Sequence, residues 1–458
     1  MAAFLDRWHW VWLLAAAPFL LFPSPARSLA LLVVPLVWLF AWKATGKPLP
    51  QTPLNAILLV MSVMILVSLL ATYDMTVSLP KIAGMVLAFG VFFAVARESR
   101  STRGLWLILA MFFGTGAAVA GLGLLGTNWS SKFSFLAAVA ARLQPQRLGL
   151  SGAQGGFNPN EVAGALLWVL PVAMTLLAWL IVRRGPLAQA FGQRRVYGLI
   201  VVSLAYVIFL LGVFVLAQSR SGLIALGVTG LGLLSFPLWQ RRRWKWLCVL
   251  WVGASLAALL AWPLATAGGS DINIGNGVPT SLGTLGERVA IWTQAIYAIR
   301  DFPFTGMGMN TFRYVARVMY PPFSDQPNFD PSHAHNEFLQ AAIDLGLAGL
   351  IAFVGLHIAT FTMLMGLGSK KRIALVSGTQ GEEPQRAAGL VSPGQNLPLD
   401  LTPAFALALT GGLIAHLVYG MTDAVALGAK PGFLFWVLLG LIVGLYQRNT
   451  GDAPAPAS

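Results

Sequence analysis

The chain has 458 residues, 57% of them hydrophobic and only 10% charged, with a mean hydropathy of +0.73. A soluble domain carries about 25% charged residues, so this composition excludes an ordinary soluble enzyme and points to an integral membrane protein. The net charge of +14 then reads as orienting loops and contacts with anionic membrane lipids rather than as a nucleic-acid surface, since no basic-aromatic module accompanies it. One cysteine, Cys248, excludes an internal disulfide framework and a thiolate metal cluster.

Long apolar runs predict an all-α polytopic membrane protein, a single integral membrane domain over 1–458 with about twelve transmembrane helices. The spans are expected near 8–22, 28–42, 54–71, 81–96, 104–125, 160–182, 196–217, 221–239, 246–266, 336–364, 402–420 and 431–447. The opening "MAAFLDRWHWVWLLAAAPFLLF" is barely basic before its apolar run and lacks a clean small-residue cleavage site. It reads as a retained first span rather than a signal peptide. Nineteen of the 30 Lys and Arg fall on alternate loops, around Arg7, Lys43, Arg97, Arg183, Arg241, Lys370 and Arg448. The positive-inside rule makes those loops cytoplasmic, with both termini inside. No internal repeat is visible.

On the opposite, external face lie two long segments, 126–159 and 267–335, and long loops on one face carry function. The second holds two amphipathic helical patterns, near 283–300 and 305–320, separated by "DFPFTG". Segment 368–400 is rich in Gly, Pro and Gln and reads as a flexible cytoplasmic loop. Four stretches can carry chemistry. "GLSGAQGGFNPNEVAG" follows Arg142 and Arg147 and contains an Asn-Pro-Asn turn opening a helix. "AQSRSG" sets Arg220 between two apolar spans, where a charge is costly without a partner or ligand. "GERVAIWTQAIYAIRDFPFTGMGMNTF" puts Arg288 and Trp292 four residues apart on one face of a helix expected to lie along the outer surface, with Ala295 and Ile299 continuing the stripe.

"HAHNEFLQAAIDLGLAG" places His333, His335, Asn336, Glu337 and Asp344 at the mouth of a membrane helix. If the helix starts at His335, then Leu339, Ala342, Gly346 and Gly349 share its stripe, and the small residues let a neighbouring helix approach closely. Arg147, Arg220, Arg288 and His335 thus gather on one side. Guanidinium forks match phosphate oxygens, and a histidine moves protons near neutral pH. "DPSHAH" also offers Asp330, His333 and His335 as a possible zinc set.

Together "QSRSG", Arg288-x-x-x-Trp292 with its "DFPFTGMGMNTF" tail, "GGFNPNEVAGALL" and His335-x10-Gly346-x-x-Gly349 resemble the O-antigen ligase and O-antigen polymerase family of bacterial membrane glycosyltransferases. The matching motifs cover about 145–360 as a ligase-like core, with 267–335 as its external catalytic loop. The resemblance implies an enzyme of lipopolysaccharide or surface-polysaccharide biosynthesis in the bacterial inner membrane, its active site on the periplasmic or external face. It implies transfer of a glycan from undecaprenyl diphosphate to an acceptor hydroxyl, with inversion and without metal or other cofactor. His335 would be the catalytic base and Arg220, Arg288 and Arg147 would bind the diphosphate. His333, Asn336, Glu337, Trp292, Gly346 and Gly349 would support them. The acceptor, lipid A-core or a growing glycan, stays open. A membrane transporter of a small anion such as bicarbonate is the other reading of a twelve-span chain.

Overall fold

The computed structural model describes residues 9–21, 25–46, 49–127, 129, 136–143, 156–267, 283–321, 333–376, 401–425 and 427–450. The regular structure among these residues is helical, with a single isolated bridge between Thr127 and Phe157. The helices are α1 His9–Leu21, α2 Val33–Thr45, α3 Asn55–Ser68, α4 Met75–Glu98, α5 Thr102–Gly126, α6 Ala137–Arg142, α7 Pro159–Leu166, α8 Leu170–Val182, α9 Arg184–Phe191, α10 Gln193–Leu216, α11 Arg220–Gln240, α12 Trp244–Ala267, α13 Gly283–Asp301, α14 Phe312–Met319, α15 Glu337–Val376, α16 Thr402–Gly420 and α17 Phe433–Thr450.

Each of the twelve expected spans holds helix, but eight described stretches are long and apolar enough to cross a membrane. The helices at 33–45, 55–68 and the described apolar part of α12 are shorter than a full crossing requires. The span expected at 160–182 is two helices, α7 and α8, in line. The result is a multi-pass all-α membrane protein. Its outer helices show large apolar side chains such as Val201, Leu234 and Leu59 on the surface, which lipid tails cover where water would not. The windows in α16 and α17 are 67% buried against 22% in α10 and α11, so α16 and α17 form the centre and α10 and α11 the rim. Trp436, Phe92, Phe89 and Phe435 fill the space between α17 and α4.

The two ends of the bundle differ chemically. At one, Arg100 donates to Gln447 Oε1 at 2.7 Å and to the Gln51 carbonyl at 3.1 Å, and Arg448 donates to Thr102 at 2.9 Å. These are segments expected on the basic, cytoplasmic side. At the other end of α4, Ser78 donates to the Met309 carbonyl at 2.7 Å, and Asn310 donates to the Val77 carbonyl at 3.0 Å. A helix rises about 1.5 Å per residue, so the 309–310 loop and the Arg100 cluster sit a membrane's thickness apart. The regions 368–400 and most of 126–159 lie outside the described residues, save stretches of helix at their edges.

A break in α15 positions the first of these ends. Gly346 has φ +69°, so the helix that starts at Glu337 is interrupted there and resumes as the long crossing. The interruption receives the "DFPFTG" turn: Leu347 N–H donates to the Pro303 carbonyl at 2.8 Å and Met307 N–H to the Ile343 carbonyl at 2.7 Å. A Cβ on Gly346 would stand 2.6 Å from the Phe304 carbonyl oxygen. The expected straight stripe of Ala342, Gly346 and Gly349 facing one neighbouring helix is therefore corrected. Gly346 serves a backbone conformation and a backbone-to-backbone contact, both closed to other residues.

Candidate active site

The helix also begins two residues later than the stripe pattern implied. Asn336 is the cap: its Oδ1 accepts from the amides of Phe338 and Leu339, each at 3.0 Å, and its Nδ2 donates to the Met421 carbonyl at 2.9 Å. His335 precedes the cap in a left-handed conformation, φ +46°, which costs a non-glycine residue free energy and marks a position held by its surroundings. Its amide donates to His333 Nδ1 at 3.1 Å, and the two rings lie 4.3 Å apart. On the other side its Nδ1 lies 3.0 Å from Asp423 Oδ1.

Asp423 follows α16 and is buried; Oδ1 also accepts from the Ala424 amide at 3.0 Å. Burial alone would raise its carboxyl, but the hydrogen bond from His335, the electrostatic influence of the two neighbouring imidazoles and the Ala424 amide hold it below the usual carboxylate range. An ionised carboxylate only accepts, so the shared proton belongs to His335 Nδ1, and in the neutral imidazole Nε2 then carries the lone pair. That is the tautomer a general base requires. His333 differs. Burial first, then the neighbouring His335, pushes it down to about 3. It is neutral, and because Nδ1 accepts, its proton sits on Nε2, 4.0 Å from Asp423 Oδ1.

The arginines approach from two other helices. Arg288 on α13 places Nη2 3.8 Å from Asp423 Oδ2 and 3.4 Å from Ser221 Oγ. A small second core holds α13 there: Ile291, Ala295 and Ala298 pack with Met307, Phe312, Ala334 and Ile343. Trp292, one turn beyond Arg288, turns its indole N–H inward without a hydrogen-bond partner among the described residues. Arg220 is the first residue of α11, after the cap Ser219, whose hydroxyl accepts from Gly222 N–H at 3.3 Å. It is exposed and makes no ion pair among the described residues. A cation at a helix N-terminus is unfavourable by itself, whereas the free amides and the guanidinium together suit an anion.

One expected participant stands elsewhere. Glu337, expected to support the base, is buried and lies 3.3 Å from His416 Nε2 of α16. Arg147 and Asp330 lie outside the described residues. The Asn-Pro-Asn turn caps α7 through Asn158, and the Asn160 carbonyl accepts from Tyr419 OH at 2.6 Å, which ties it to α16. Sequence reasoning missed Asp423 and Ser221. The signal for Asp423 was an isolated acid, in "YGMTDAVALG", just past an apolar span in a chain with 16 acids.

His333, His335 and Asp423 each offer one atom within 4.8 Å of the others, a spacing that metal ligands also use. Here the His335 proton occupies the line to the carboxylate and Arg288 adds positive charge beside it, and both oppose a cation.

Fold and site define a class: a multi-pass helical membrane protein that holds a carboxylate-oriented histidine next to arginines at one end of its bundle. Residues 204–354 match the family model described as O-antigen ligase, which supports an O-antigen ligase/polymerase assignment for that part of the chain. The matched segment contains Arg220, Arg288, Trp292, His333, His335, Gly346 and Gly349. No curated protein matches the chain.

Proposed function

We propose that the chain is a metal-independent inverting glycosyltransferase that moves a glycan from undecaprenyl diphosphate to an acceptor hydroxyl at the external face of the bacterial inner membrane, with both termini cytoplasmic. The observation that carries the reading is the 3.0 Å contact between His335 Nδ1 and Asp423 Oδ1 beside Arg288. The acceptor oxygen attacks the anomeric carbon from the side opposite the diphosphate. Its proton passes to His335 Nε2, the carbon–oxygen bond to diphosphate breaks, and undecaprenyl diphosphate leaves with that electron pair. Asp423 stabilises the imidazolium that forms. Arg288 and Arg220, with the α11 N-terminus, neutralise the leaving diphosphate, the task a divalent cation performs elsewhere. The acceptor is lipid A-core in a ligase and a growing glycan in a polymerase. Nothing in the site favours the anion-transporter alternative.

The test is transfer by purified protein in lipid nanodiscs, given undecaprenyl-diphosphate-linked glycan and either acceptor. Product should form at the same rate with and without EDTA, with its anomeric configuration inverted. Retained configuration, or loss of activity in EDTA restored by a metal, would overturn the mechanism. No transfer to either acceptor would overturn the function.

A further inference from the structure

His333 is also a wall of a second feature. With Lys81, Glu161, Asn310, Arg313, Gln340 and Asp344 it lines a polar cavity of about 110 Å³, room for several water-sized groups. Asp344 is 1% exposed. Its Oδ1 accepts from Gln340 Nε2 at 2.9 Å and from the Asn310 amide at 3.3 Å, while Oδ2 meets no hydrogen-bond partner among the described residues. Gln340 Oε1 in turn accepts from the Ala334 amide at 2.8 Å, so the cavity wall is built into the same turn that carries His335. Lys81 and Glu161 are half-buried and interact electrostatically without a direct ion pair. A buried carboxylate oxygen without a partner is costly, and this one belongs to a wall in which Asn310 and Gln340 are fixed by their own bonds.

The open valences specify the ligand. Asp344 Oδ2 and the Glu161 carboxylate accept, the Lys81 ammonium donates, and the Arg313 guanidinium adds a second cation to the wall. Mixed charge of this kind holds neither a free anion nor a free cation well. It suits adjacent hydroxyl groups, each of which donates one hydrogen bond and accepts others. One ring, His333, separates these groups from the base. Resting on the glycosyltransferase reading, we infer that the cavity receives the hydroxyl-bearing edge of the acceptor's terminal sugar, and that Asp344 and Glu161 select which hydroxyl reaches His335.

The test uses the full-length protein with undecaprenyl-diphosphate-linked glycan and a set of acceptors that lack single hydroxyls on the terminal sugar. Asp344→Asn keeps an oxygen for Gln340 and Asn310 and replaces the accepting Oδ2 by a donor. It should raise the acceptor KM about 10–100-fold, the range for a hydrogen bond to a charged group, with the donor KM within about twofold. Wild type should lose a similar factor on one deoxy acceptor, and Asp344→Asn should be indifferent to that same deletion. Glu161→Gln, half-buried in the first turn of α7, carries the same test if Asp344→Asn fails to fold. Equal rises in donor and acceptor KM, or variants that respond to every deoxy acceptor as wild type does, would overturn the subsite and leave the transferase reading intact. If wild type transfers to no acceptor, the transferase reading falls and the subsite with it.

Discussion

Replacing Asp423 by asparagine removes one charge and keeps the shape of the side chain. An amide offers His335 either an oxygen or a nitrogen. With oxygen on His335, its nitrogen turns toward Arg288, which lies 3.8 Å from the native carboxylate, donor against donor. With nitrogen on His335, the imidazole must carry its proton on Nε2 and is no longer a base. In both cases the imidazolium formed during transfer loses its counter-charge. Unit charges about 4 Å apart interact by about 4 kcal/mol at an effective dielectric of about 20. Arg288 draws on the same carboxylate, and halving the figure leaves about 2 kcal/mol, or about 30-fold in rate. The tautomer problem adds to this, giving a loss of about 10²–10³-fold in kcat, inside the range for removing a general base. The assay is transfer rate at saturating donor and acceptor, with thermal unfolding as a control. The donor KM should move by less than about threefold. A folded Asp423→Asn variant with kcat within about threefold of wild type would refute the orienting role and, with it, the assignment of His335 Nε2 as the accepting atom.

Arg288→Lys and Arg220→Lys keep charge but lose the fork, so each should cost about 10-fold or more in kcat/KM, close to the loss in the alanine variants. Full activity in both alanine variants would remove the diphosphate role. His333 titrates at about 3 in the fold and near 6.5 when unfolded, so the unfolded chain binds the extra proton between those values. Stability should therefore fall as pH drops from about 6.5, by at most about 1.4 kcal/mol per pH unit, and His333→Asn should flatten the melting temperature between pH 6.5 and 4. Parallel curves would mean that His333 is not buried neutral. In a Cys248→Ser background, Val318→Cys on the exposed face of α14 should react with an impermeant thiol reagent in intact spheroplasts; reaction only from the cytoplasmic side would invert the proposed orientation. Gly346→Ala meets both a positive φ and the Phe304 carbonyl and should reduce folded yield several-fold, whereas normal yield and activity would show that the break in α15 is not needed.

Helices were legible because apolar runs report them directly: each of the twelve segments read from hydropathy holds helix. Span length was less legible, since α7 and α8 share one apolar run while Leu167 to Val169 turn between them. Arg220, Arg288 and His335 stood out because charge at a membrane edge is costly, so each needs a reason to be there. Asp423 carried the same cost and was overlooked, because it lies 88 residues from the histidine it orients and the pairing of α15 with α16 has no trace in spacing. Gly346 was visible but misread. A glycine in an apolar helix fits close helix packing and a broken helix equally well, and only the Pro303 carbonyl bonded to Leu347 decides between them. The same limit applies at Gln218, Asn310 and His335, three non-glycine residues with positive φ that adjoin Arg220, Asp344 and Asp423. Periodicity reports the regular part of a chain. Here Arg220 and His335 are held where helices start. Hydrogen bonds from backbone amides to the side-chain oxygens of Ser219, Asn336 and Asp344 hold these turns, and they become identifiable once the neighbouring segment is known.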